Sequence, residues 1–458
     1  MTIMNVLSLF GGLGLFLFGM QLMGEALEKA AGTRLKKLLG MVTGNRFLAM
    51  LAGITITAVV QSSSATTVMV VGFVNAGLMS LTQAVGVIMG ANIGTTVTSL
   101  LLSVQIDFAA IFTFLGLILS NLPDKYRTAK QFGTITMGLG ILFIGMNTMS
   151  GAMEPLRTWE GFQKAMASIN NPILGVLIGA GITAVLQSSA ASIGILQTLV
   201  AQGLIGLDGA IFILFGQNIG TCVTALLACA GTNSTAKRAA TVHLLFNVIG
   251  TVVCLCLFYG LHAIFHFAFV ATPINAVGIS AVHTIFNLFT TALLCPFTKQ
   301  LERFANFVIR PSKKKETYAF LDERLLGTPS IAVGEASDMT VKMATLARMT
   351  ILSAINICQS YDVKVADEIL KHEDELDLYE DKLGTFLVKL SSRSLSIADS
   401  RKVSNMLHTI GDFERAAEYL MLGMRTVHGV SRAEYARLYR SDFSGIAQQL
   451  ETFVRSGW

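Results

Sequence analysis

The sequence predicts an all-α protein in which a polytopic membrane domain is followed by a helical bundle. Of the 458 residues, 52% are hydrophobic and only 14% are charged, whereas a typical soluble domain has about 25% charged residues. The charge is also segregated, because residues 1–298 hold 12 Lys and Arg with 7 Asp and Glu, and residues 299–458 hold 22 of each. The apolar first part in addition repeats itself. We therefore expect a duplicated membrane domain and a separate tail of ordinary composition.

The apolar segments of the first part set the number of membrane spans. A helix needs about 20 apolar residues to cross the hydrocarbon layer. Seven segments are predicted to span: 2–24, 84–104, 107–122, 131–150, 207–229, 239–258 and 276–297. Residues 2–24 have no basic region before them and no cleavage site after them, which favours a retained membrane helix over a signal peptide. Segment 259–272 is too short to assign.

Two further apolar regions, 47–78 and 172–205, are interrupted in the middle by the phrases "TAVVQSSSATT" and "TAVLQSSAAS". These phrases lie 126 residues apart. The same offset superposes "GLGLFLFGMQLM" on "GLGILFIGMNTM", and "GANIGTTVT" (90–98) on "GQNIGTCVT" (216–224). One register over this length indicates an internal duplication, which in a membrane protein suggests a transporter with its site between the repeats.

The distribution of basic residues predicts that the repeats are inverted. Loop 25–46 has five Lys and Arg against two Glu, and loop 124–130 has three against one Asp, whereas loop 151–171 is balanced. When every basic loop is placed on the cytoplasmic side, the topology is consistent only if 47–78 and 172–205 are re-entrant hairpins, which enter and leave the membrane on the same side. The repeats are then about 2–122 and 131–258, with 276–297 as an extra helix and the N-terminus outside.

The polar interruptions predict a binding site for an anion and a cation. A helix that begins near Ser62 or Ser188 would point its free amides and the positive end of its dipole at an anion. Hydroxyl and carbonyl oxygens also suit sodium. Asn92 and Asn218, each followed by Ile-Gly-Thr, repeat this pattern of an amide and a hydroxyl. Hydroxyl residues are also common in helix packing, but the duplication of both phrases with equal spacing favours a site.

The paired phrases resemble the type II sodium–phosphate cotransporters over residues 1–300. The resemblance implies sodium-driven import of inorganic phosphate, with the two Gln-Ser-Ser regions forming the substrate and sodium sites. The residues proposed for the site are Gln61, Ser62, Ser63, Ser64, Thr66, Thr67, Asn92 and Thr95 in the first repeat, and Gln187, Ser188, Ser189, Ser192, Asn218 and Thr221 in the second. Because Ala190 and Ile193 stand where Ser64 and Thr67 would be, the site is expected to be asymmetric.

Two matched phrases lie outside these motifs, "HLLFN" (243–247) and "HTIFN" (283–287). Two interpretations of His243 and His283 stay open. Each histidine could carry protons or contact the substrate, or it could make an ordinary hydrogen bond between helices.

The tail is predicted to be a cytoplasmic helical domain over 335–458, after a linker over 301–334. Amphipathic periodicity indicates four helices, the first from about 335 and the others at roughly 363–391, 400–424 and 431–456. The phrases "LHTIGDFERAAEYL" and "HEDELDLYEDKL" resemble PhoU-like domains. In that family acidic helix faces bind metal clusters, but a solvated charged face is favoured here for Asp412, Glu414 and Glu418. No metal apart from sodium is therefore expected.

Together these patterns predict a sodium-coupled symporter that imports inorganic phosphate across the cytoplasmic (inner) membrane. Its partners are phosphate, sodium and lipid, without nucleic acid, and a homodimer is left open. No cofactor is expected beyond sodium as the coupling ion. An enzyme is disfavoured because the apolar part has no nucleophile–base pair or metal-ligand cluster. The alternatives are a sodium-coupled transporter of another small anion, or a membrane phosphate sensor that reports to the tail.

Overall fold

A computed structural model describes residues 2–31, 35, 45–104, 108–168, 171–266, 274–310, 321–359 and 363–429 of the chain. The described residues form helices and contain no strand, which confirms the all-α prediction. The chain divides into two compact units, Met1–Thr328 and Pro329–Trp458. Each unit is described by itself.

The first unit contains thirteen described α-helices, and six of its segments are long and apolar enough to cross a membrane. Five of these segments are formed around α1, α4, α6, α10 and α11, and the sixth contains both α12 and α13. The helices are α1 (Ile3–Ala31), α2 (Arg46–Val60), α3 (Ser63–Asn75), α4 (Leu81–Ser103), α5 (Ala109–Ser120), α6 (Arg127–Met153), α7 (Glu160–Ser168), α8 (Pro172–Leu186), α9 (Ser189–Ala201), α10 (Leu207–Ala228), α11 (Ser234–Phe265), α12 (Ala276–Leu294) and α13 (Thr298–Val308).

Three boundaries differ from the sequence-based prediction. The segment 107–122, predicted to span, contains the 12-residue helix α5, which is shorter than the six candidate spans and ends where the Asn121 side-chain amide donates to Leu117 O. Residues up to Phe265, which could not be assigned, continue the 32-residue helix α11. The predicted linker is partly helical, because α13 and a 3₁₀ turn at Glu323–Gly327 fall within it. A local apolar pattern does not show how far a helix continues past its apolar stretch.

Both interrupted regions are helix–break–helix hairpins, as predicted. Helix α2 ends at Gln61, which has a left-handed backbone (φ 56°), and Ser62 is extended and accepts a hydrogen bond from Ala65 N at 3.1 Å. Gln187 (φ 52°) and Ser188 repeat this geometry between α8 and α9. A left-handed residue ends one helix and a serine N-cap begins the next. The Gln-Ser pair therefore turns the chain in each repeat.

The first hairpin enters and leaves at one end of the unit, which we call the Arg46 end. At its start, Arg46 donates to Cys295 O and to Thr298 Oγ1, both at 3.2 Å. At its finish, Asn75 Oδ1 accepts from Asn233 N at 2.9 Å, just before α11. Val242, near the start of α11, shares an apolar cluster with Leu301 of α13. Both feet of the hairpin therefore lie at the same end.

The second hairpin enters and leaves at the opposite end, which we call the Gly203 end. Gln202, just after α9, donates to Ser150 Oγ at 2.6 Å, near the end of α6. Val176, at the start of α8, packs in one apolar cluster with Leu207 and with Phe258, near the end of α11. Because α11 begins at the Arg46 end and finishes here, the two hairpins enter from opposite ends of the unit.

The packing of equivalent helices confirms that the repeats are inverted. Helices α1 and α6 occupy the same place in the two repeats and run antiparallel, with Gly12 against Gly145 and Gly19 against Gly138. The offset of 126 residues exchanges these two contacts, so a pseudo-twofold axis passes between the helices. Within each repeat, the first hairpin helix instead runs parallel to the long helix that follows the hairpin. Gly53 lies against Val87 in the first repeat, and its equivalent Gly179 lies against Ile213 in the second.

The described part of the second unit consists of three long helices, α14 (Pro329–Gln359), α15 (Val363–Ser391) and α16 (Ile397–Gly429). Each of these helices packs against the other two. Leu376, Leu383 and Leu390 of α15 are fully buried at a seven-residue spacing, which is the pattern of helices packed along a common seam. The predicted fourth helix, at 431–456, lies outside the described residues.

Candidate functional site

The tips of the two hairpins meet at the centre of the first unit. Ser63 Oγ lies 3.4 Å from Ser189 Oγ, and the two residues are exactly one repeat, 126 residues, apart. A contact between equivalent residues must lie on the pseudo-twofold axis. Ser63 and Ser189 are the first residues of α3 and α9. Two helix N-termini are therefore brought together at this point.

Each tip is fixed by the same pair of hydroxyl groups. Thr57 Oγ1 donates to Thr66 Oγ1 at 3.1 Å, and the equivalent Thr183 Oγ1 donates to Ser192 Oγ at 2.8 Å. Thr57 and Thr183 are completely buried. The bonds tie the two helices of each hairpin together next to the break, which holds the start of α3 and of α9 in place.

The electrostatics of the tips favour a negative ligand. The first amides of a helix have no internal partner, and the aligned peptide dipoles make this end positive. In the first tip, Ser62 Oγ satisfies the amide of Ala65. The amides of Ser63 and Ser64 precede Ala65 in the same turn. No charged residue occurs between Arg46 and Asp107 or between Lys164 and Asp208, so these amides are the main source of positive potential within the hairpins.

The asparagines of the "NIGT" phrases face two further helices. Asn92 and Asn218 are buried on α4 and α10, and each donates its amide to the carbonyl one turn earlier. The Asn247 amide points to Asn92 Oδ1 at 3.5 Å, and His283 Nε2 lies 3.1 Å from Asn218 Oδ1. The interhelical hydrogen bond considered for the histidines is therefore present at His283.

The hydroxyls of Thr95 and Thr221 also bond within their own helices. They donate to Ala91 O and Gln217 O, each at 2.9 Å. A hydroxyl that donates in this way keeps its oxygen lone pairs for another group. These threonines are buried on the same helices as the asparagines.

The first tip contains two polar groups that the second lacks. Ser64 is partly buried, and its carbonyl accepts from Thr67 Oγ1 at 3.1 Å. Ala190 and Ile193 replace these residues in the second tip. The difference predicted from the sequence therefore corresponds to an extra hydrogen bond in the first hairpin.

The two glutamines, predicted to be equivalent, occupy different surroundings. Gln61 is buried and its Oε1 accepts from Thr98 Oγ1 at 3.0 Å. Gln187 is exposed, and the equivalent threonine, Thr224, has a buried hydroxyl without a partner among the described residues. The symmetry of the sequence is therefore broken at the tips.

One polar cluster was not found by sequence reasoning. Gln197 of α9 donates to Ser99 O at 3.1 Å and to Ser280 Oγ at 3.0 Å. The residues equivalent to Gln197 and Ser99 in the other repeat are Val71 and Ala225, so the duplication contains no signal for this cluster. It anchors the second hairpin to α4 and α12.

Within the ranges that the structure describes, no group of three His, Cys, Asp or Glu residues could hold a metal ion. In the tail, Asp412 pairs with Arg415 at 2.8 Å, and both side chains are exposed. The side chain of Glu418 lies outside the described residues. The preference for a solvated charged face at this position therefore stays a prediction.

Comparison with known proteins gives two family matches. The Na+/Pi-cotransporter family model matches residues 15–151 and 158–287, and the PhoU domain model matches residues 340–421. Each half of the first match contains one hairpin and one "NIGT" phrase. No solved structure matches the chain at a significant level.

Three relatives illustrate the range of similarity. A protein of Escherichia coli (strain K12) named "Putative inorganic phosphate export protein YjbB" is 26% identical over 420 residues, covering 91% of this chain and 76% of that protein. The "Uncharacterized protein YqeW" of Bacillus subtilis is 33% identical over 299 residues, covering 65% of this chain and 96% of that protein. The "Sodium-dependent phosphate transport protein 2A" of Rattus norvegicus is 32% identical over 148 residues, 29% of this chain and 23% of that protein.

Proposed function

The chain belongs to the Na+/Pi-cotransporter family, and we propose that it is a sodium-coupled carrier that binds inorganic phosphate where the two hairpin tips meet. The observation that carries this proposal is the 3.4 Å approach of Ser63 and Ser189. Two helix N-termini converge there within a region that lacks charged side chains. The second unit carries a PhoU domain.

Phosphate binding at the tips would use backbone amides and hydroxyls. The amides of the first turns of α3 and α9 donate to the anion, as they do in other phosphate sites at helix N-termini. The hydroxyls of Ser63 and Ser189 add donors that can rotate toward it. Because both hairpins contribute, a movement of one tip away from the other would divide the site and release the anion toward one end.

Sodium coupling follows from the charge of the ligand. Phosphate carries one or two negative charges near neutral pH, and the hairpin tips offer it no Lys or Arg. Two helix dipoles supply only about one unit of positive charge in total. A bound cation would supply the rest, so phosphate would bind strongly only when sodium is bound as well.

The orientation that we propose has the Arg46 end in the cytoplasm. This end carries Lys125 and Lys130 before and at the start of α6, Lys237 and Arg238 on α11, and Arg303 on α13. At the Gly203 end, by contrast, Lys164 pairs with Glu160. The excess of basic residues at the Arg46 end is typical of a cytoplasmic face.

Import is the direction we propose, because a symporter moves its substrate with the sodium gradient, which usually points into the cell. Export is the second candidate, favoured by the name of the relative that aligns with 91% of the chain. A carrier is reversible, so the direction depends on the gradients and on whether sodium is required.

Uptake of labelled phosphate into proteoliposomes tests the proposal. An inward sodium gradient should drive accumulation of phosphate above its external concentration, and an equal choline gradient should not. Reversal of the sodium gradient should drive phosphate out. Exchange of phosphate with no effect of sodium would overturn the coupling, and binding without any flux would instead support a sensor.

A further inference from the structure

The 3₁₀ turn at Glu323–Gly327 lies at the end of the first unit and bonds to helices of both repeats. Its N-cap residue, Asp322, is 3% exposed and accepts a hydrogen bond from the Asn75 amide, at the end of α3, at 2.7 Å. Arg324 packs so closely on this helix that a Cβ added at Gly72 would lie 3.3 Å from Arg324 Cβ. One side of the turn therefore rests on the first hairpin.

The other side of the turn bonds to the second repeat. The Arg324 guanidinium donates to Ala228 O at 2.6 Å and to Ala230 O at 3.0 Å, at the end of α10. The same guanidinium pairs with Asp322 at 2.9 Å. A cation is favourable at the C-terminal end of a helix, where carbonyl groups have no partner within the helix. Asp322 and Arg324 thus connect the C-terminal end of α3 with that of α10, and we call this pair the latch.

Asn75 also bonds directly to the second repeat. Its Oδ1 accepts from Asn233 N at 2.9 Å, and its carbonyl accepts from Asn233 Nδ2 at 3.1 Å. Asn233 is the N-cap of α11, which belongs to the second repeat. The end of α3 is therefore bonded to the second repeat both directly and through the latch.

The inversion does not reproduce this arrangement at the Gly203 end. In the second repeat the residue equivalent to Asn75 is Ala201, whose methyl group can neither donate nor accept a hydrogen bond. The foot of the second hairpin is bonded instead through Gln202 to Ser150, which belongs to the same repeat. Asp322 and Arg324 lie outside the duplicated part of the chain, so the latch is a feature of the Arg46 end.

We propose that the latch holds the Arg46 end closed, and that it releases when the site at the hairpin tips opens toward that end. Carriers with inverted repeats expose a central site by moving one repeat against the other. Because α3 and α10 belong to different repeats, a movement that parts their C-terminal ends must break the bonds of Asn75 or those of Arg324. Opening toward the Gly203 end leaves these bonds intact. The proposal rests on the proposed function in taking the hairpin tips as the transported site.

Modification of a cysteine at the tip, from one side of the membrane at a time, tests the latch. Ser63→Cys is introduced into a full-length chain whose native cysteines have been replaced, and the protein is reconstituted into proteoliposomes. A small membrane-impermeant thiol reagent is applied to one side. Lys237→Cys, at an exposed position near the start of α11, identifies the side on which the Arg46 end lies. The rate of modification from each side reports the population of the state that is open to it.

The double variant Asp322→Asn/Arg324→Gln removes both charges of the latch, so that neither is left buried without its partner. Modification of the tip cysteine from the Arg46 side should become faster by about fivefold or more, the change in population expected when the closed state loses about one hydrogen bond. Modification from the Gly203 side should not become faster. Asn75→Ala, which gives the first repeat the residue present in the second, is an independent variant and should shift the rates in the same direction.

Gln202→Ala is the matched control, because it removes the bond to Ser150 at the foot of the second hairpin. It should not speed modification from the Arg46 side. Unchanged rates in both latch variants, or equal acceleration from both sides, would overturn the latch.

Phosphate flux, measured in chains that retain Ser63, separates this proposal from the proposed function. If the latch variants shift the modification rates as expected but the wild type shows no flux, the proposed transport fails while the latch stands. If the wild type shows sodium-dependent flux but the variants leave the rates unchanged, the latch alone fails.

Discussion

At the scale of single residues, the environments of Gln61 and Gln187 differ although the sequence makes them equivalent. Gln61 Oε1 accepts from Thr98, whereas Gln187 is exposed and the hydroxyl of Thr224 lacks a partner among the described residues. An inverted repeat can exchange the conformations of its halves during transport. We therefore expect the bond between Gln187 and Thr224 to form in the opposite half of the transport cycle.

Substitution of Thr98 or Thr224 by valine tests the hydrogen bond of each threonine with its glutamine separately. Thr98→Val leaves the buried Gln61 Oε1 without its donor and should lower the free energy of unfolding by about 1–3 kcal/mol, together with phosphate uptake. Thr224→Val should leave the free energy of unfolding unchanged or higher, but should still lower uptake. Denaturant titration in mild detergent and proteoliposome flux measure the two effects. Wild-type flux in Thr224→Val would show that the second bond is not used.

The sequence predicted residue types at the tips but not their bonds. Ser63 and Ser189 lie within the duplicated phrases, so the register of 126 residues placed them correctly as equivalents. The partner of Gln61, Thr98, lies 37 residues away, and the Gln197 cluster joins three separate helices. Contacts of this kind depend on packing between distant segments, which no local pattern encodes.

At the scale of elements, the hairpins were predictable because their breaks are local. A Gln-Ser pair in an apolar stretch marks the end of one helix and the N-cap of the next. The short 3₁₀ turn at Glu323–Gly327 was not predictable, and the sequence assigned it to a linker. Its role depends on a docking site formed by distant residues.

This turn is held against the first hairpin by a buried charged group. Asp322 is 3% exposed and accepts from the Asn75 amide at 2.7 Å. Arg324 pairs with Asp322 at 2.9 Å and donates to Ala228 O at 2.6 Å. Leu325 is fully buried. The segment 322–328 is therefore an integral part of the membrane unit and ties the end of α3 to the end of α10.

Two truncations test this assignment. A chain that ends after Thr328 keeps the docked turn and should retain folded protein and sodium-dependent phosphate uptake, with its regulation altered. A chain that ends after Arg310 loses the partners of Asn75 and the buried leucines, and should be less stable by about 3 kcal/mol or more. Thermal unfolding and flux are measured on both. Equal stability of the two chains would contradict the structural role of the turn.

At the scale of the whole molecule, one pseudo-twofold axis organises the membrane unit. It passes between α1 and α6 and through the contact of Ser63 with Ser189. The duplication and the charge distribution were enough to predict inverted repeats.

The proposed phosphate site lies at the hairpin tips, where two helix N-termini converge. Both repeats are therefore expected to contribute to the phosphate site, because it lies on the axis that relates them.

Protection of engineered cysteines by ligand tests the central claim most directly. Ser63→Cys and Ser189→Cys are made separately in a chain whose native cysteines have been replaced and that still binds phosphate. The rate of modification by a small thiol reagent is then measured with phosphate, with sodium and with both. We expect phosphate and sodium together to slow the modification of both cysteines, and phosphate in choline to have little effect. Modification of either cysteine at the same rate with and without both ligands would contradict a phosphate site shared by the two tips.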